Sequence, residues 1–143
     1  MNPDSKNTFL DTNIIVYAFD PTVSEKHTVA KRIVEQITKG ETTACISNQI
    51  LAEMSSVLLG KTMEHKEQVR QFVESIQHIP TWQIVHYTSK TIETTLQSIE
   101  KQKDFWDNLI AQTMLENGIT KIYTENTKDF SKIKGIKAVN PFR

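Results

Sequence analysis

The sequence changes its hydrophobic period repeatedly. Short unbroken apolar runs give way to apolar residues three or four apart, and then return. The run Thr8-Phe9-Leu10 reads as a short buried strand; Thr43-Ala44-Cys45-Ile46, Trp82 to Val85 and Lys121 to Thr124 read as further strands, with Lys137 to Val139 a candidate fifth. Between them lie helical rows. Ile14 to Phe19 is an apolar run that stops before Asp20-Pro21. Val29, Ile33 and Ile37 recur in a segment opened by Ser24 and Glu25 and stopped at Gly40. Ile50, Leu51, Met54, Val57 and Leu58 mark a helix capped by Ser47 or Asn48 and ended by Gly60. Val69, Phe72, Val73 and Ile76 mark the next, and Ile92, Leu96 and Ile99 another. Phe105 to Leu115 forms the last, closed by Asn117-Gly118. Strands alternating with helices predict an α/β domain with a small, mainly parallel sheet of four or five strands flanked by helices. With no linker, repeat or low-complexity stretch, residues 1–143 read as one domain. In such sheets the site lies at the carboxyl ends of the strands.

Composition removes several classes of function. The 143 residues carry 17 Lys plus Arg against 17 Asp plus Glu, a formal net charge of zero. A uniformly basic nucleic-acid binder is therefore excluded, and a polyanion partner requires segregated charge or bound cations. Cys45 is the only cysteine, which excludes an internal disulfide and a cysteine-built zinc site. No apolar run approaches the roughly 18–20 residues that cross a bilayer, and residues 1–8 are polar, so neither a membrane span nor a signal peptide is expected. The expected compartment is the cytoplasm.

Three acids have apolar surroundings. Asp11 ends the first strand; as a favoured N-cap it also suits a helix over residues 12–18. Glu53 shares a helical row with Ile50 and Val57, although a Lys or Arg across the helix surface is an alternative partner. Asp107 precedes Ile110, Ala111 and Met114 at three, four and seven residues, and it equally suits the first turn of a helix. Buried carboxylates need a partner, a proton or a metal. Carboxylates without His or Cys point to a hard divalent ion, Mg²⁺ or Mn²⁺.

These residues fall in segments that together resemble the PIN-domain ribonucleases, particularly the VapC-type toxins of toxin–antitoxin pairs. The segments are Phe9-Leu10-Asp11-Thr12-Asn13-Ile14, Ile50-Leu51-Ala52-Glu53, Phe105-Trp106-Asp107-Asn108-Leu109-Ile110-Ala111, Ile122-Tyr123-Thr124-Glu125-Asn126 and Val139-Asn140-Pro141-Phe142. The resemblance implies a Rossmann-like, three-layer PIN fold. It also implies a metal-dependent endoribonuclease, often dimeric, that uses one or two Mg²⁺ or Mn²⁺ ions and leaves a 5′-phosphate and a 3′-hydroxyl. Asp11, Glu53 and Asp107 match the family's acidic positions, and Asn13 and Thr124 its supporting polar ones. The family often has a fourth acid where this chain has Asn126; Asp129 is the candidate replacement as a metal ligand, and Glu125 is expected to point elsewhere.

Residues 121–143 hold six cations against two acids, a net +4. Lys128, Lys132 and Lys134 in this tail are candidate RNA contacts, or else ordinary solvated surface. Lys61, Lys66 and Arg70 suit ion pairs with Glu64 and Glu67. Trp82 and Trp106 suit core packing better than base stacking, and the four histidines share no motif. Expected partners are RNA, a cognate antitoxin, for which the helices between residues 48 and 76 offer an apolar face, and a second copy of the chain. The alternative to a nuclease is a PIN-like module that binds RNA or protein without cutting. A phosphotransferase with an Asp nucleophile is disfavoured, because such enzymes usually place a second Asp where Asn13 stands.

Overall fold

Leu10 ends the first strand and Asp11 already caps the first helix, so the two are joined without a loop. The computed structural model describes residues 8–143. The polar residues 1–7, which bear on the signal-peptide expectation, lie outside it. Strand β1 (Thr8–Leu10) is buried along its whole length. Helix α1 (Thr12–Phe19) starts where an Asp11 carboxylate oxygen accepts from the Thr12 amide at 2.8 Å, a cap worth about 1 kcal/mol. Helix α2 (Ser24–Thr38) follows, and the turn just beyond it carries Gly40, whose φ of 82° is open to glycine and strained for other residues.

Strand β2 (Ala44–Ser47) passes directly into α3 (Asn48–Lys61), with the Ser47 hydroxyl accepting from the Ile50 amide at 3.3 Å. Gly60 does not end α3. It lies inside the helix, which stops at extended Thr62. A 3₁₀ turn over Met63–His65 leads to α4 (Lys66–Ile76) and then β3 (Trp82–Val85). Helix α5 (Ser89–Ser98) is opened by a Thr88–Thr91 capping box. Helix α6 (Phe105–Glu116), β4 (Lys121–Tyr123), the single turn α7 (Thr127–Phe130) and β5 (Lys137–Val139) complete the chain.

The five strands form one wholly parallel sheet in the order β3-β2-β1-β4-β5. The chain steps outward from β1 to β3, then jumps back across β1 to β4 and β5. Right-handed crossovers therefore put α1–α4 on one face and α5–α6 on the other, giving three layers. Phe9, Leu10, Ile46 and Ile122 form the sheet's part of the core, against Ile14 and Ile15 of α1, Ile50, Met54 and Leu58 of α3, and Ile110, Ala111 and Met114 of α6. Between β1 and β4 the direction of winding reverses, which opens a crevice at the strands' carboxyl ends.

Two helices turn differently from the sequence pattern. In α5 the buried residues are Thr91 and Thr95, while Leu96 is 60% exposed. In α3, Val57 is 42% exposed and stands on the lip of a cleft rather than in the core. Among the described residues no helix is long and apolar enough to cross a membrane.

Candidate active site

Asp11, Glu53 and Asp107 come from three different elements and line one open cleft of about 430 Å³, together with Thr12, Asn13, Ser56, Val57 and Asn126. Its lining includes no Lys, Arg or His. Asp11 arrives at the end of β1, Glu53 one and a half turns into α3, and Asp107 in the first turn of α6.

Each carboxylate is held by polar donors. Asp11 spends one oxygen on its own helix cap and accepts the Thr124 hydroxyl at 2.7 Å on the other. Asp11 therefore caps α1 and lines the cleft at the same time. Glu53 accepts the Thr12 hydroxyl at 2.7 Å and the Gln49 amide at 2.8 Å. No Lys or Arg pairs with it; its partners are neutral. Asp107 accepts from the Asn126 amide at 2.8 Å. The Thr124 hydroxyl also accepts from the Asn126 backbone amide at 2.9 Å, tying the supports of Asp11 and Asp107 into one turn. Thr12 and Gln49 were not anticipated: both are polar residues in mainly apolar helical stretches, and that mismatch was the available signal. Asn13 is exposed on the rim.

Burial, opposed by the bonds from Thr124 and Thr12, raises the pKa of Asp11. Burial, and then the charges of Asp11, Asp129 and Glu53, push Asp107 up to about 6. The cleft thus concentrates negative charge with no side-chain cation to offset it. Glu125 points away, as expected: it pairs with Lys26 and accepts the Tyr17 hydroxyl at 2.6 Å.

The donor chemistry of the cleft, carboxylate oxygens and one amide, fits a hard divalent ion. As they stand, no three His, Cys, Asp or Glu among the described residues are grouped closely enough to hold one. Asp129 does not join Asp11 and Glu53. It sits on α7, half-exposed, with an oxygen 3.8 Å from the Lys132 ammonium. Together with Asp107 it lines a neighbouring cleft of about 470 Å³, whose walls also carry Lys101, Lys103, Lys132 and Lys134. Lys128 is exposed on α7.

Other expectations resolve separately. Trp82 is in the core, but Trp106 is 55% exposed at the start of α6. Arg70 pairs with Glu67 and Glu74, while Lys61 reaches Asp20 at 3.1 Å. Cys45 is buried, which pushes its thiol up to about 12 and makes it inert.

The chain is thus a three-layer parallel α/β domain with three carboxylates lining one cleft at the carboxyl ends of its strands. The PIN domain family matches residues 8–136, and the chain belongs to that family. No curated protein matches it. Among solved structures, the chain is similar to VapC20 of Mycobacterium tuberculosis, described as a sarcin–ricin loop cleaving toxin. The identity is 18%, covering 87% of this chain and 94% of that one, with a TM-score of 0.64. VapBC2 from Rickettsia felis, bound to a DNA fragment from their promoter, is 25% identical over 94% of this chain and 98% of that one, with a TM-score of 0.59. A toxin–antitoxin complex from Klebsiella pneumoniae is 23% identical over 94% of this chain and 97% of that one, with a TM-score of 0.60.

Proposed function

We propose that the protein is a metal-dependent endoribonuclease and the toxin of a type II toxin–antitoxin pair. The observation that carries this reading is the convergence of Asp11, Glu53 and Asp107 on one cleft with no side-chain cation. PIN-family membership and the toxins among its structural neighbours support it.

Asp11, Glu53 and Asp107 would hold Mg²⁺ or Mn²⁺, one or two ions, with Asp129 a further ligand from the adjoining cleft. A bound ion of this kind lowers the pKa of its water and offsets charge on the scissile phosphate. The chain's own residues prepare that site. Thr12, Gln49, Thr124 and Asn126 fix which carboxylate lone pairs remain free and so orient the acids. Lys132 and Lys134, on the wall of the neighbouring cleft, and Lys128 nearby on α7 would take flanking phosphates of the RNA. A cytoplasmic setting, a cognate antitoxin and a homodimer belong to the same proposal.

One observation favours a second reading, a module that binds RNA or protein without cutting. The position of the family's fourth acid is Asn126, and its amide is engaged with Asp107. A single experiment separates the two. Purified, antitoxin-free protein is incubated with RNA and Mn²⁺ or Mg²⁺, beside the Asp11→Asn and Asp107→Asn variants. Cleavage to products bearing 5′-phosphates, lost in both variants, supports the nuclease. RNA binding without cleavage under either metal supports the module and ends the enzymatic proposal.

A further inference from the structure

A third pocket, of about 420 Å³, adjoins the acidic cleft, and the reaction proposed above leaves its Tyr87 and Trp106 walls unused. Gln49, Ala52, Glu53, Ser56, Tyr87 and Trp106 line it. Glu53 and Ser56 line both spaces, so the two share a wall.

Three features of this pocket point to a ligand. Gln49 is only 3% exposed. Its amide nitrogen donates to Glu53 at 2.8 Å and to the Trp106 carbonyl at 3.3 Å. Both partners are acceptors, so they settle which end of the amide faces them. The remaining oxygen, Oε1, is buried with no hydrogen-bond partner, the one such side-chain atom among the described residues. A buried acceptor left without a donor in the fold is free to bond a water or a bound group, and Gln49 is part of this pocket's wall. The second feature is Trp106, a large aromatic left 55% exposed at the start of α6, its ring 5.1 Å from Phe105 and nearly perpendicular to it. The third is that Tyr87 is pinned. The Asn48 side-chain oxygen accepts from the backbone N–H groups of Tyr87 at 3.0 Å and Gln49 at 3.1 Å, tying the Tyr87 backbone to the start of α3.

We propose that this pocket receives one unpaired nucleobase of the RNA, stacked on Trp106, with an amino N–H donated to Gln49 Oε1. The inference rests on the ribonuclease reading for the identity of the polymer. An exposed indole is a stacking platform for any base. The acceptor selects among bases: Gln49 Oε1 favours the exocyclic amino groups of adenine, cytosine and guanine. Uracil offers one N–H flanked by two carbonyls, which that acceptor repels. A base must leave its helix to enter, so the substrate is single-stranded at this point. Because Gln49 also holds Glu53, the residue that reads the base is bonded to an acid of the cleft.

Uncharged nucleosides test this without metal or phosphate. In ¹⁵N-labelled protein, adenosine and cytidine are expected to shift the Trp106 indole N–H resonance, and uridine to shift it far less. In cleavage assays, Trp106→Ala is expected to raise KM roughly tenfold with kcat little changed, and Trp106→Phe to restore it, because the platform is a stacking surface. An equal response to uridine, no response to any nucleoside, or an unchanged KM in Trp106→Ala overturns the proposal. So does protection of Trp106 by the antitoxin while nucleosides leave it unmoved, since the surface is then a protein's. Selective nucleoside shifts in a protein that cuts no RNA support the base pocket and remove the nuclease reading. Cleavage with a silent Trp106 does the reverse.

Discussion

Thr124, just past the end of β4, donates its hydroxyl to the Asp11 carboxylate at the end of β1, 2.7 Å away across 113 residues of sequence. Only the adjacency of β1 and β4 makes that contact available. The hydroxyl also accepts from the Asn126 backbone amide, and Asn126 in turn holds Asp107. Thr124→Val removes both bonds while keeping the shape. Cleavage should fall about 10–100-fold, the usual cost of losing the support of a site ligand. Thermal melting should show a loss of about 1–3 kcal/mol for the unsatisfied groups. Thr124→Ser should retain most of both, and a valine variant within twofold of the parent would refute the assigned role.

The second prediction concerns pH. Burial, followed by the charges of Asp11, Asp129 and Glu53, raises Asp107 from 3.8 to about 6. An acid whose pKa is higher in the folded than in the unfolded state binds its proton more tightly when folded. Its contribution to stability is thus full below about pH 4 and is lost as pH rises through about 6. The shift corresponds to roughly 3 kcal/mol at most. In EDTA-treated protein, Asp107→Asn should melt higher than the parent at pH 7, and the gap should close as pH falls toward 4. Comparing the two proteins removes the opposite trend of the depressed acids Glu67, Glu125 and Asp20. A gap independent of pH would contradict the shift.

The proposed metal ion would act with the opposite sign at the same site. A cation that binds the folded state alone stabilises it by about 2.7 kcal/mol at one hundred times its Kd. Mn²⁺ should therefore raise the Tm of the parent protein by several degrees at pH 7, and that rise should shrink sharply in Asp11→Asn and Asp107→Asn. An equal rise in all three proteins would place the ion elsewhere.

What the sequence carried legibly was period and chemistry. The strand at Trp82–Val85 and that at Lys137–Val139 stand where their apolar runs are, although both are edge strands and only Trp82 among their residues is fully buried. The acids were legible because carboxylates amid apolar neighbours are rare. Convergence was not, since it depends on strand order, which local patterns do not encode. Thr12 and Gln49 stayed hidden because a polar residue reveals a role only once its partner across the fold is known. Helix α5 misled for a related reason. Its threonines bury by returning their hydroxyls to polar partners, Thr95 to the Thr91 carbonyl at 2.9 Å and Thr91 to Glu116 at 2.8 Å, leaving Leu96 outside.

That inversion is testable. Leu96→Lys should change stability by no more than about 0.5 kcal/mol, as an exposed substitution does. Thr91→Val strips the donor from Glu116 and breaks the capping box with Thr88, so it should cost about 1–3 kcal/mol. Urea denaturation of both variants distinguishes this register from the apolar one, which demands the reverse order.

The last prediction concerns Glu125, which lies between Thr124 and Asn126 without touching either acid that they support. Burial pushes its carboxyl up, but the bonds from Lys26 and Tyr17 outweigh that and leave it below its ordinary value. Lys26 and Phe142 also meet the Tyr17 ring, so α1, α2 and the end of the chain grip one residue of the Thr124–Asn126 turn. If that grip sets the turn, loosening it should disturb Asp11 and Asp107 together. Tyr17→Phe keeps the ring contact with Phe142 and removes only the hydroxyl. It should lower kcat several-fold with KM nearly unchanged, since no residue on the RNA path is altered. Glu125→Gln should do the same, and it should also remove the part of stability that the depressed carboxyl contributes above its unfolded pKa and loses as pH falls. A Tyr17→Phe protein with parental kcat would show that the turn holds its shape without Glu125.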